Sequence, residues 1–463
     1  MKKSFLISVI LFLTSAVIAF AGDAAPRYIF MFIGDGMGNG HVMSANAYER
    51  MVRGNADGLL MTTFPVFSQA VTYSASSPVT DSAAAGTAIA TSVKTLNGMV
   101  GMDPDSVPVR SIARKLADKG FGVGIVTSVA ADDATPAAFY ASAPYRKESY
   151  TIDSQWPASG FDFLAGAGLY GLADKEGKPT DIVRKFADAG YPIVHSIDSI
   201  PTRKRSKAVL LSPATERPWN IGYTIDSLPG ALTLPDMTRA GLDLLRRNGH
   251  ERFFMMVEGG NIDHAAHAND GGAVIKEILK FDDAVRVAYD FYTEHPEETL
   301  IVITADHDTG GMSLGNATLH YDAKPWMVDC QRISKERFSD ECKALLASRR
   351  AISWEEMQGY LTDKLGLFGP VEVTPEQEAK LREVFDIVFV QGRGEDIESL
   401  YNKFNPFAAE AFKVFNDNAG FGFTTGYHTG NMVPLIAIGA GAEKFGTLTD
   451  NTEISKNILE LVR

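Results

Sequence analysis

Cysteine is nearly absent from the 463-residue chain: Cys330 and Cys342 are the only two, and they form no C-x-x-C pair. Dithiol redox chemistry and a thiolate zinc site are therefore not indicated. Basic residues also fall short, with 44 Lys+Arg against 57 Asp+Glu and a net charge of −13. That balance makes the chain a poor candidate for tracking a nucleic-acid backbone. Anionic substrates stay open, because bound cations can reverse the charge of a local site. Internal repeats and low-complexity runs are missing too. What is present, 45% hydrophobic and 22% charged residues, is ordinary for a globular protein and excludes wholesale disorder. The length suits one large core or two ordinary domains.

The first 21 residues read as a signal peptide. Lys2 and Lys3 form a basic start, Phe5 to Phe20 is almost continuously apolar, and Ala19-Phe20-Ala21 is a small-x-small cleavage pattern. A membrane anchor would need about 20 apolar residues, and this run is shorter. No cysteine stands near the cleavage site for a lipid. The expectation is an exported protein, periplasmic or secreted, of residues 22–463, whose net charge moves from −13 to −15 when the two lysines leave. In an oxidising compartment Cys330 and Cys342 could close a disulfide worth about 3 kcal/mol. Two free thiols are the other reading.

Four apolar, β-branched runs end in loops rich in Gly, Asp or His. Tyr28 to Ile33 leads into Gly34-Asp35-Gly36, Phe121 to Thr127 into Asp132-Asp133, Phe253 to Val257 into Glu258-Gly259-Gly260, and Leu300 to Thr304 into Asp306-His307. Such runs suit strands buried on both faces of a parallel sheet. Helical patterns alternate with them, over Val109 to Lys119 and Ala273 to Tyr289. The expected class is therefore α/β, an open doubly wound sheet, in which ligands bind beyond the carboxyl ends of the strands. Between His307 and His428 the character changes. Ser353-Trp354-Glu355-Glu356 and Thr374-Pro375-Glu376-Gln377 open helices, the second expected to run to Val390. This reads as a helix-rich insertion around 315–423.

Of nine histidines, His41, His195, His250, His295 and His320 read as structural. Asp263 and His267 are four apart, so one helical turn presents both to a single ion. Asp306 and His307 at a strand end can serve another. Singly, each pair is a solvated loop; together at the mouth of one sheet, they make a multinuclear metal site the better account. Asp81-Ser82-Ala83-Ala84-Ala85-Gly86 reads as a helix start, where free N–H groups favour an anion. On its own, Ser82 reads as a plain N-cap.

Together these segments resemble the alkaline phosphatase family. The motifs are Asp35 in Gly-Asp-Gly-Met-Gly, Thr80-Asp81-Ser82-Ala83-Ala84, Asp133-Ala134-Thr135-Pro136, Val257-Glu258-Gly259, Asp263-x-x-x-His267, Ala305-Asp306-His307 and Tyr427-His428-Thr429-Gly430. They stand in the family's order over Tyr28 to Gly311 and again over Thr424 to Gly441. The resemblance implies a three-layer α/β sandwich around a central, mostly parallel sheet, with 315–423 as a crown-like insertion. It implies Ser82 as the nucleophile that becomes phosphoserine. It implies one zinc on Asp263, His267 and His428, and a second on Asp35, Asp306 and His307 with Ser82. Magnesium would lie on Asp133, Thr135 and Glu258, with Asp35 bridging. Arg146, thirteen residues after Asp133, matches the phosphate-clamping arginine. His264 is a departure at a position that varies among family members.

The implied activity is hydrolysis of phosphate monoesters to an alcohol and inorganic phosphate, with two zinc ions and one magnesium ion. A phosphodiesterase or nucleotide pyrophosphatase of the same superfamily would share the two-zinc core; the third-site residues and Arg146 favour monoesters. A sulfatase is disfavoured, since Ser82 is not followed by the expected Pro and Arg. From another class, a non-catalytic exported zinc- or phosphate-binding protein would keep the ligands without turnover. Oligomeric state is left open, a homodimer being one option.

Overall fold

The computed structural model describes residues 25–213, 219–348 and 350–462. The signal-peptide reading of residues 1–21 lies outside them. In chain order, the first strands of the main sheet are β1 (Tyr28–Ile33), β2 (Val66–Val71), β3 (Gly122–Thr127), β4 (Phe163–Gly166), β5 (Ile193–Val194), β6 (Ala208–Leu211), β7 (Phe253–Glu258) and β8 (Thr299–Thr304). The strands Val433–Gly439 and Thr449–Asp450 complete a ten-stranded sheet. Its order is Thr449–Asp450, β2, Val433–Gly439, β8, β1, β7, β3, β4, β6, β5. All neighbours are parallel except that Val433–Gly439 runs antiparallel to both β8 and β2. The α/β expectation holds, with one reversed strand inside the sheet.

The four strands that the sequence marks out, β8, β1, β7 and β3, are neighbours at the centre. Their register aligns Ile33 with both Glu258 and Thr304, and Glu258 with Thr127. The polar loops that follow therefore open at one level. Residues of β1 alternate between two cores. Phe30 and Phe32 pack with Phe281 and Phe291 of the helix Gly271–Glu294, while Ile29, Met31 and Ile33 share the other side with Ala83, Ile89 and Leu116. Burial on both faces explains the absence of polar alternation in these strands.

Three helices differ in extent from their sequence patterns: the one read over Ala273 to Tyr289 runs longer, Gly271–Glu294. The one expected over 109–119 occupies Ile112–Ala117, because the Val109 N–H bonds back to the Gly101 carbonyl and Ser111 caps the helix at the Arg114 N–H. The one after Thr374 is α-helical over Pro375–Phe385 and then widens into a π turn, Asp386–Val390. Segment 315–423 holds four α-helices of eleven residues or more, Lys335–Ala347, Trp354–Leu365, Pro375–Phe385 and Pro406–Ala419. Their buried Phe338, Met357, Leu361, Phe407 and Phe412 are continuous with the core on one face of the sheet. Cys330 and Cys342 are both free thiols, so the disulfide alternative is not realised.

Candidate active site

Local sequence places each polar group at the carboxyl edge. After β1 the chain turns so that the Gly34 N–H reaches the Thr304 carbonyl and the Gly36 N–H reaches Asp306 Oδ1 at 3.1 Å. Gly36 has φ +69°, and a Cβ there would come within 2.8 Å of Asp263 Oδ1 and 2.7 Å of Thr309 Oγ1. Only glycine lets Asp35 and Asp263 share this space. Asp81, not Ser82, is the cap of the helix Ser82–Thr91, its Oδ1 accepting the Ala84 N–H at 2.9 Å. Ser82 is thus the first helical residue, and its hydroxyl is free to point at the site. The small residues behind it serve close packing: a Cβ on Gly86 would lie 3.1 Å from Thr135 Cα.

His428, far along the chain, is delivered by a second, two-stranded pairing in which His428 opposes Thr309 and Thr429 opposes Asp308. Asp308 Oδ1 accepts from both Thr429 Oγ1 (2.7 Å) and the Gly311 N–H (3.1 Å). Buried His41 lies 3.6 Å from its other oxygen, consistent with the structural reading of that histidine.

Two tight groups of acidic and imidazole side chains result among the described residues: Asp35 with Asp306 and His307, and Asp263 with His307 and His428. His267 joins the second, its Nε2 3.3 Å from Asp263 Oδ1 and 3.0 Å from His428 Nε2. His307 stands between the groups, with Nε2 at 3.3 Å from Asp35 Oδ1, 3.2 Å from Asp306 Oδ2 and 3.1 Å from Ser82 Oγ. Its ring stacks on that of His428 with centroids 3.6 Å apart.

The hydrogen bonds on the far side of each ring settle which nitrogen carries the proton. His267 Nδ1 meets the Gly426 carbonyl at 2.7 Å and His428 Nδ1 meets the Thr80 carbonyl at 2.9 Å, so both donate from Nδ1. Thr309 Oγ1 spends its one proton on Asp263 Oδ1 at 2.5 Å and so accepts from His307 Nδ1 at 3.1 Å. All three Nε2 lone pairs then face inward, toward carboxylate oxygens and one another. Asp35 Oδ1, Asp263 Oδ2 and Glu258 Oε1 are also buried without a hydrogen-bond partner. Burial, then the charges of Asp306, Asp263 and Glu258, push the Asp35 carboxyl well above its usual range. Burial raises Asp306 to about 6 and Glu258 to about 8, and keeps His307 neutral. Converging acceptors that resist their own charge are relieved by cations. Imidazole nitrogens with carboxylates suit zinc, and second-side partners of this kind orient zinc-bound histidines. The donor set fits.

The all-oxygen set is looser. Thr135 Oγ1 lies 3.4 Å from Asp306 Oδ2, and Thr127 Oγ1 donates to Glu258 Oε2. Asp133 caps the helix Ala134–Ala137 and binds Arg146 Nη2 at 2.7 Å. Its charge also acts on Glu258, after burial and the Thr127 hydrogen bond. Arg146 Nη1 lies 3.5 Å from Asp81 Oδ2, so two carboxylates hold the guanidinium beside the Ser82 helix. Sequence reasoning missed Thr309, Thr127 and the capping role of Asp81. A hydroxyl carries no motif of its own, and Thr309 is recognisable only once His307 and Asp263 are known to flank it.

The sequence model of the family described as "Alkaline phosphatase" matches residues 26–166 and 176–463. Alkaline phosphatase 3 of Bacillus subtilis is 30% identical over 450 residues, covering 94% of this chain and 89% of that protein. Alkaline phosphatase 4 of the same organism is 28% identical over 454 residues, covering 95% and 89%. Among solved structures, the cold-active alkaline phosphatase from Shewanella sp. superposes with a TM-score of 0.78 at 27% identity, covering 94% of this chain and 99% of that one. The Thermus thermophilus alkaline phosphatase, at 24% identity and TM-score 0.75, shares the fold over 98% of this chain and 99% of that one. With motifs, sheet and nearly the whole length in agreement, the chain belongs to the alkaline phosphatase family, the hydrolases of phosphate monoesters.

Proposed function

We propose that the chain is an exported phosphomonoesterase that works through a phosphoserine at Ser82. One observation carries this reading: the Nε2 atoms of His267, His307 and His428 converge on carboxylate oxygens of Asp263, Asp35 and Asp306, with that of His307 3.1 Å from the Ser82 hydroxyl. Asp263, His267 and His428 would hold one zinc, and Asp35, Asp306 and His307 the other, with Ser82 joining the second. Asp133, Thr135 and Glu258 would hold magnesium, Asp35 bridging; hard oxygen donors suit that ion. When bound, these ions supply Lewis acidity and positive charge for the attacking and leaving oxygens of an in-line displacement.

The chain's own residues do the rest. Ser82 Oγ loses its proton as it attacks phosphorus, the ester P–O bond breaks, and the leaving oxygen takes up a proton to depart as the alcohol. Water then attacks the phosphoserine from the face the alcohol left, releasing inorganic phosphate and restoring the serine. Two inversions give net retention. Arg146, steadied by Asp133 and Asp81, would grip two non-bridging oxygens with its planar fork. The helix Ser82–Thr91 adds the positive end of its dipole at the same point.

The test is a steady-state assay with a chromogenic monoester beside elemental analysis of the purified protein. Two zinc-type ions and one lighter ion per chain are expected. Ser82→Ala should keep its metals yet lose about a thousandfold or more in turnover, as removal of a nucleophile does. Full activity in that variant, or a phosphopeptide carrying label on another residue, would overturn the assignment.

A further inference from the structure

The segment 315–423 meets the metal-facing edge at a hairpin. Ile397–Glu398 and Lys403–Phe404 form a hairpin closed by the Ser399 N–H to the Asn402 carbonyl. The hairpin is anchored at both ends. Ser399 Oγ donates to the His267 carbonyl at 3.3 Å, and the Asn402 amide donates to Glu336 Oε2 at 3.1 Å. Behind it, the Asn405 N–H binds Ser339 Oγ at 2.8 Å. Between the two anchors stands Tyr401, half-buried, its ring centroid 4.3 Å from that of His264 and 5.1 Å, edge-on, from that of His267.

Its hydroxyl is the informative atom. Among the described residues no group hydrogen-bonds it, and the side chain is only half-buried, so the O–H is open to a ligand. Its charged neighbours are Asp263, Arg146, Asp133 and Asp35. A phenol O–H is a neutral donor. A neutral donor is well suited here, since it adds a hydrogen bond to an anion without adding to the crowding of cations.

We propose that Tyr401 is a direct phosphate ligand: its hydroxyl donates to a non-bridging oxygen of the phosphoryl group gripped by Arg146. The hairpin 397–404 thereby belongs to the substrate site. The side chain also explains His264, whose ring packs against the phenol and keeps it in place. The proposal rests on the Ser82–Arg146 reading above.

The experiment compares the metal-loaded parent with Tyr401→Phe and Tyr401→Ala. It measures kcat/KM for a monoester, competitive inhibition by inorganic phosphate, and phosphate binding by calorimetry. Tyr401→Phe keeps the ring and loses only the hydroxyl, so kcat/KM and phosphate affinity should each fall about tenfold or more, as for one hydrogen bond to a charged group. Metal content and melting temperature should not change. A Phe variant indistinguishable from the parent in both turnover and phosphate affinity overturns the proposal, whatever Tyr401→Ala does. So does a loss of turnover with phosphate affinity intact. A parent with no turnover would instead overturn the underlying reading, which separates the two failures.

Discussion

The loops at the carboxyl edge of the sheet and the helices of 315–423 are built on opposite terms. In the helical segment, local demands are met locally. Ser353 and Glu356 form a reciprocal capping box, Thr374 and Gln377 form another, and Gly366 ends a helix at φ +71°. At the sheet edge, Asp35, Glu258 and Asp263 each keep a buried oxygen unsatisfied. Three imidazoles face carboxylates with their lone pairs. The first region is arranged for its own stability. The second gathers acceptors whose charges cations would offset. Local consistency that fails in one compact patch is a signature of function.

The comparison can be sharpened first at Thr309. Its single hydroxyl proton fixes Asp263 while its lone pair fixes His307, so it serves both proposed zinc sites at once. Thr309→Val keeps the shape and removes both bonds. Zinc affinity, measured by chelator competition, should fall about ten- to a hundredfold, the usual result of removing such a support. Unchanged affinity would mean that the ligands hold their orientation without it.

A smaller but more selective effect is expected at Arg146. A monoester dianion offers three non-bridging oxygens and more charge than a diester, so a bidentate guanidinium should favour it. Arg146→Ser should lower monoester kcat/KM by about tenfold or more, given the strength of charge-assisted bonds. Diester hydrolysis should fall less, and inhibition by inorganic phosphate should weaken. Equal losses on both substrates with phosphate inhibition unchanged would remove the arginine from the clamp.

Legibility in the sequence follows the same division. Apolar runs that end in Asp or His loops are a strong signal, which is why β1, β3, β7 and β8 and the residues Asp35, Glu258, Asp306 and His307 stand out. Their adjacency is a matter of sheet order, which periodicity does not encode. His428 needed the family resemblance, because the pairing that delivers it involves just two residues on each side. Tyr401 carried no signal at all: an aromatic residue between Leu400 and Asn402 reads as ordinary packing until the hairpin is seen against His264. The capping boxes were legible because their chemistry is confined to four consecutive residues.

The smallest effects make the sharpest contrast, since they should have opposite signs. In the presence of a chelator, Asp35 is a buried carboxyl whose charge is opposed by burial and by Asp306, Asp263 and Glu258. Asp35→Asn removes that conflict while keeping the shape, so the metal-free protein should gain about 1–3 kcal/mol of stability, the range associated with relieving a buried charge. Thr374→Ala deletes a satisfied cap, leaving the Gln377 N–H without its partner at 3.2 Å. It should lose about 1 kcal/mol in the same buffer. With metals restored, the order reverses for function: Asp35→Asn should lose turnover, because that carboxylate belongs to two of the proposed ion sites, whereas Thr374→Ala should leave kcat/KM unchanged. Denaturant unfolding with and without chelator, beside a monoester assay, reads all four values. If Asp35→Asn destabilises the metal-free protein as Thr374→Ala does, then Asp35 is held by interactions that outweigh its crowding by Asp306, Asp263 and Glu258.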